Sequence, residues 1–217
     1  EMVEMFQRFN RRQYPYVVIN NSCDALPIPS INLDNRCGIM LIADLIRRKG
    51  YSSVGFVGEL SSNPQKHLVE RETLLRELLS GSGIDCDESY FLNGSRPGVP
   101  DLPRTGLYSH TDGMEAVRLL HRRGTLPRCL VCGNDTIAQG AICAAAQLGI
   151  RIPEELAIIG FDDLLYSQFF NPPLTTVRQP YGKFGRLAYE YVIRKLDEPD
   201  YFAQIEIKPT LIERSTT

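Results

Sequence analysis

The sequence predicts an α/β chain built on doubly wound parallel sheets, and two observations carry that prediction. Short apolar, β-branched runs recur at "YVVIN" (16–20), "SVGFVG" (53–58), "CLVCG" (129–133) and "LAIIGF" (156–161). They are continuously apolar rather than alternating, the pattern of strands buried on both faces. Longer amphipathic segments lie among them at 35–48, 66–81, 112–123 and 135–148, closing on Gly50, Gly81, Gly124 and Gly149. Glycine after a basic or apolar last turn is a common helix stop. Strand–helix–strand alternation of this kind implies parallel strands with helices on the sheet faces.

The alternation breaks twice. Residues 93–106, "NGSRPGVPDLPRTG", hold three Pro and three Gly and read as a surface loop. Residues 181–197 read as another amphipathic helix, followed by the strand-like 203–214, "AQIEIKPTLIER". The first residues, "EMVEMFQRFNRR", form a charged amphipathic segment with no secretory apolar region, which points to the cytoplasm. No apolar run approaches the roughly 20 residues of a membrane span.

Composition excludes some functions. With 24 Lys and Arg against 26 Asp and Glu, the net charge is −2, and the chain has no electrostatic footprint for wrapping a polyphosphate backbone. Any action on nucleic acid belongs to a part of the protein outside these residues. Six cysteines are too sparse for a disulfide scaffold. Cys129 and Cys132 have C-x-x-C spacing but lie inside a strand-like run, where residues three apart point to opposite faces, so they read as small buried hydrophobes. His67, His110 and His121 share no spacing suited to a metal or a catalytic triad and read as surface or loop residues. The chain lacks a Walker loop, a G-x-G-x-x-G after a strand and a G-x-S-x-G elbow, so an α/β enzyme is disfavoured. No cofactor is implied.

Three polar positions invite a functional reading. Asp162 and Asp163 follow the last residue of a predicted parallel strand, and ligands in open α/β folds bind outside the carboxyl ends of strands. The same pair can be turn chemistry, and the residues alone leave both readings open. Asn134 follows "CLVCG" at a second strand end, where it can meet a ligand, cap the next helix, or both, with Asp135 supporting the helix start. Arg71 lies in a helical segment; its planar guanidinium suits a polyhydroxyl or carboxylate ligand, while a solvated surface charge is the plain alternative.

Several motifs stand in a fixed order: "INLDNRCGIMLIADLIRRKGYSSVGFVGE", Arg71, "GNDTIAQGAICAAAQLGIRIPEELAIIGFDD", "NPPLTTVRQP", Gly185 to Ala188, and "PTLIERST". The ordered set resembles the effector-binding core of the lactose/galactose repressor (LacI/GalR) family over residues 15–217. The resemblance implies a periplasmic-binding-protein-like fold of type I, with two α/β subdomains joined by three crossovers and a small effector in the cleft. It places 1–33 and 178–203 in an N-terminal subdomain and 34–177 and 204–217 in a C-terminal one. The chain opens on what would be a late helix of the N-terminal subdomain, so that subdomain's front, the hinge helix and the helix-turn-helix are expected to be absent. Leu74 stands where relatives often have Gly.

By the same resemblance, Asp162, Asn134 and Arg71 are ligand contacts, with Asp163 structural. Asn20 ends a strand where relatives often carry Asp or Asn facing the ligand. Tyr108 falls where relatives stack a ring on a sugar, and Gln179 sits on a crossover strand. Phe169 and Phe170 read as core or cleft-wall aromatics. The implied protein is the ligand-sensing and dimerisation domain of a cytoplasmic transcriptional regulator, neither an enzyme nor membrane-bound. Its effector is a sugar or sugar derivative, its partner a second copy, and its operator DNA is reached through a separate domain. Helix 35–48 and the helix carrying Arg71 are the expected dimer surfaces. A transporter's sugar-binding protein is the alternative, with "GFDD" and "PPLTTVRQP" leaning toward the repressor branch.

Overall fold

The computed structural model describes residues 2–21, 23, 25–94, 99 and 109–217; Tyr108 lies outside them. The chain divides into two compact units, Asn35–Arg178 with Thr210–Thr217, and Glu1–Asp34 with Gln179–Pro209.

The larger unit is a six-stranded sheet with helices packed against it. Its strands are β3 (Val54–Val57), β4 (Phe91–Leu92), β5 (Cys129–Cys132), β6 (Ala157–Asp162), β7 (Thr175–Arg178) and β9 (Thr210–Ile212), in the order β4-β3-β5-β6-β7-β9. The first five run parallel. The last, β9, is antiparallel to β7, so the sheet is mixed where uniformly parallel strands were expected. β3 and β5 are buried at every position, as continuously apolar runs require. Phe56, Phe91 and Phe161 are the largest fully buried side chains, each contributing roughly 2–3 kcal/mol of burial.

Helices α2 (Asn35–Lys49) and α3 (Lys66–Leu79) pack as one pair, and α4 (Ser109–Arg123) and α5 (Asp135–Leu148) as another. α2 ends on Arg47, Arg48 and Lys49 and α4 on Arg122 and Arg123, with cations at the negative end of each helix dipole. α5 stops at Gly149, whose φ of 71° lets its N–H reach back to the carbonyls of Ala145 and Ala146. The α4–α5 contact is backbone against backbone. A Cβ on Gly140 would stand 1.8 Å from the His110 carbonyl oxygen, and one on Gly113 1.9 Å from that of Ile137.

The smaller unit contains α1 (Met2–Arg11), β1 (Val18–Ile19), β2 (Ser30–Leu33), α6 (Tyr181–Asp197) and β8 (Gln204–Ile207). Its three strands form a parallel sheet in the order β1-β2-β8. Phe6 of α1 stacks on Tyr16 at 5.6 Å, and Tyr191 of α6 packs on Tyr201 at 5.2 Å. The run at 203–214 is two strands, not one. β8 pairs with β2 through four register positions, Lys208 and Pro209 interrupt the run, and β9 joins the other sheet. Residues 204–209 therefore belong to the smaller unit, which corrects the boundary expected at 203. No described helix is long and apolar enough to cross a membrane.

Candidate functional site

In the larger sheet the chain goes from β3 outward to β4, then returns past β3 to β5. That reversal lies between β3 and β5, and the carboxyl ends of strands at such a reversal are the favoured ligand address of doubly wound folds. The residues there are Gly58 after β3, Gly133 and Asn134 after β5, and Asp162 at the end of β6.

Arg71 reaches this place from α3 and is 4% exposed, so it is not the solvated helix charge of the plain alternative. Its Nη1 donates to the Gly133 carbonyl at 2.8 Å and its Nε to Asn35 Oδ1 at 3.0 Å. The guanidinium carbon lies 3.5 Å from the centroid of the Phe161 ring. Asp162 Oδ1 stands 3.9 Å from Nη1, an ion pair whose carboxylate side chain is 19% exposed. A buried cation needs this opposite charge, because removing one partner leaves the other uncompensated. Asn35, the last residue of the "INLDN" stretch, is a site residue that the sequence reading misses, although that motif is the available signal.

Asn134 caps α5, its Oδ1 accepting from the Ile137 N–H at 2.8 Å. The capping reading therefore holds. Asp135 does not support the helix start in the way expected. Its fully buried carboxylate accepts from the Leu164 N–H at 2.9 Å and from the hydroxyls of Ser167 and Thr176 at 2.5 Å. It thus ties the loop after β6 and strand β7 to α5. Burial pushes its carboxyl pKa up, against the pull of those hydrogen bonds. Gly160 makes room for it, since a Cβ there would meet Asp135 Oδ1 at 2.4 Å.

The chain turns sharply where β6 ends. Asp162 has a φ of 126° and Asp163 one of 52°, both in the region that L-residues rarely adopt. Asp163 holds the turn with its side chain, accepting from Arg178 Nε at 2.5 Å and from Arg214 Nη2 at 2.7 Å. The strained backbone thus sits under Asp162, and the ion pairs that brace it sit one residue on.

Asn20 and Gln179 meet in the smaller unit. Asn20 Nδ2 donates to Gln179 Oε1 at 2.9 Å, and Asn20 Oδ1 accepts from the Leu33 N–H at 2.9 Å. The Asn20 amide therefore joins the end of strand β1 to β2 and to Gln179. Tyr108 falls outside the described residues.

Two other expectations change. Of the two aromatics read as core or cleft wall, Phe169 is 77% exposed and so is not a core residue, while Phe170 packs on Tyr166 at 5.6 Å and against the core. His67 is on α3 and partly buried rather than in a loop; burial, then the Arg71 charge, lowers its pKa to about 4. Cys129 and Cys132 are buried inside β5, where burial pushes both thiols up and favours the neutral form. Among the described residues, no group of three His, Cys, Asp or Glu side chains is placed to hold a metal.

Comparison with known proteins agrees with this architecture. Residues 43–217 match the periplasmic binding protein-like domain family. The chain is similar to the HTH-type transcriptional repressor PurR of Pectobacterium atrosepticum, at 36% identity over 110 residues. That match covers 50% of this chain and 32% of the repressor, so the chain spans about a third of the length of such relatives. Among solved structures, the Escherichia coli transcriptional repressor ascG superposes with a TM-score of 0.80 at 22% identity, covering 100% of this chain and 74% of that one. A sugar-binding transcriptional regulator of the LacI family from Escherichia coli, complexed with phosphate, gives 0.78 at 24% identity, covering 100% and 73%. The chain belongs to the periplasmic binding protein-like domain family.

Proposed function

We propose that this chain is the ligand-sensing domain of a LacI-type transcriptional regulator and that its effector is a sugar or sugar derivative. One observation carries the reading: the buried Arg71, the Asp162 carboxylate and the Asn134 amide converge at the strand ends beside the switch point of the sheet. A carboxylate can accept two hydroxyl hydrogen bonds, a guanidinium can donate to two oxygens, and an amide offers both donor and acceptor. That combination suits neighbouring hydroxyls on a ring. Asn20, Gln179 and Tyr108 complete the proposed contact set. The repressor names of the relatives favour a regulator over a transporter's binding protein.

In this reading the protein is a cytoplasmic homodimer without catalytic activity, and it reaches operator DNA through a separate domain. Exposed Met40 on α2 and Val69 on α3 support those helices as dimer surfaces. A ligand acts on DNA binding only through different affinities for two conformations.

A thermal-shift screen of the chain against sugars, sugar phosphates and nucleobases tests the reading. A ligand at about 100 times its dissociation constant stabilises the fold by roughly 2.7 kcal/mol. For a chain of this size that is about 5–10 °C. A shift with one sugar class that disappears in Asp162→Asn supports the site. Shifts with nucleobases only would overturn the sugar, and equal shifts in both proteins would remove Asp162 from it.

A further inference from the structure

The smaller unit holds a cavity of about 220 Å³, lined by Cys23, Ile28, Ser30, Asn32, Gln204 and Glu206, with Ile205 beside them. Ser30 and Asn32 alternate along β2, and Gln204 and Glu206 along β8, so these four share one face of the sheet. They are also register partners, Ser30 with Gln204 and Asn32 with Glu206. The hydrogen bonding is one-sided. Asn32 Nδ2 donates to Ser30 Oγ at 3.2 Å and Gln204 Nε2 donates to the Ile28 carbonyl at 3.1 Å. Asn32 Oδ1 is buried and has no partner among the described residues. Buried acceptors are nearly always satisfied, by protein, water or ligand.

Glu206 adds an exposed carboxylate to the same wall, and among the described residues no Lys or Arg lines the cavity. What fits must bring hydrogen-bond donors and positive charge, with an alkyl part for Ile28. The volume exceeds the ~30 Å³ share of a water molecule several-fold, so a solute of several heavy atoms has room.

We propose that this cavity binds a small primary alkylammonium ion. Its N–H groups donate to Asn32 Oδ1 and to the Glu206 carboxylate, and its chain lies along Ile28. The site is separate from the Arg71–Asp162 site and does not depend on the sugar reading.

The test is titration of the ¹⁵N-labelled chain with n-butylammonium chloride, with sodium chloride, sodium acetate and 1-pentanol as matched controls. The expected result is a saturable shift of the Asn32 and Gln204 side-chain amide signals with the amine alone. Glu206→Gln should weaken it roughly threefold, the size of an exposed charge pair, and Asn32→Asp should strengthen it by at least as much. Asn32→Leu should abolish it in a protein whose circular dichroism is unchanged. If Asn32→Leu does not fold, Asn32→Asp and Glu206→Gln still decide the matter. No saturable shift with the amine would overturn the proposal. So would equal binding of 1-pentanol, which would mean a hydroxyl or water site, binding of acetate in its place, or weaker binding in Asn32→Asp.

Discussion

The two units use the same α/β vocabulary with opposite margins. In the larger one, β3 and β5 are buried throughout and two helices touch through their backbones. In the smaller one, β8 alternates exposed and half-buried residues before ending on buried Ile207, and helix α6 leaves Tyr189 and Leu196 largely exposed. Tight packing leaves no slack for an added atom, while a half-solvated surface absorbs it. A single type of substitution should therefore change sign from one unit to the other.

Glycine to alanine is that substitution. Gly140→Ala puts a methyl group 1.8 Å from a backbone oxygen, and neither helix can move without disturbing the sheet beneath. We expect a loss of about 3 kcal/mol, or roughly 10 °C in midpoint by thermal denaturation. Gly185 on α6 has nothing within 4 Å of the place a methyl group would take, and an ordinary helical backbone. Gly185→Ala should gain about 0.5–1 kcal/mol from helix propensity alone. Destabilisation by both would mean that α6 is covered in the working protein, and the contrast would fail.

The polar braces differ in the same way. Asp135 is fully buried and accepts three hydrogen bonds, so Asp135→Ala strands the Leu164 N–H and two hydroxyls. The expected cost is about 3 kcal/mol, measured by urea unfolding. Asn20 also makes two bonds, but at a part-exposed strand end where water can replace them. Asn20→Ala should cost about 1 kcal/mol. Equal costs would show that the smaller unit is braced as firmly as the larger.

The same contrast explains what could be read from the amino-acid order. β3, β5 and β6 are apolar runs closed by turn residues, and α2 to α5 carry their stop signals, so these elements of the larger unit were legible, while β7, whose "TTVR" mixes polar and apolar residues, was not. β2 was missed because "SINL" mixes polar and apolar residues, and β4 because it is only two residues long. The break at Lys208–Pro209 was hidden because "QIEI" and "TLI" are both good strand sequences; pairing partners, not propensity, separate them. Of the site, strand-end position picked out Asp162 and Asn134, and family resemblance picked out Arg71. The burial of Arg71 against Phe161, the Asn35 contact and the bracing by Asp135 depend on tertiary neighbours that no local pattern encodes.

Acid should separate the units last and least. All three histidines belong to the larger unit, and His67 is the one whose pKa is lowered to about 4. Burial is the main cause, the Arg71 charge adds to it, and Glu59 opposes it. In the unfolded chain the imidazole takes its proton near pH 6.5. The unfolded state therefore binds more protons from pH 6.5 down to about 4, and stability falls as pH falls through that window. Because the ring is partly exposed, the full shift overstates the effect, and about 1 kcal/mol is expected on going from pH 7 to pH 5. His67→Gln should remove that slope without altering stability at pH 7 by more than a few tenths of a kcal/mol. Urea midpoints at the two pH values decide it. A slope unchanged in His67→Gln would mean that other groups set the acid response of the larger unit and that His67 is better solvated than its place on α3 implies.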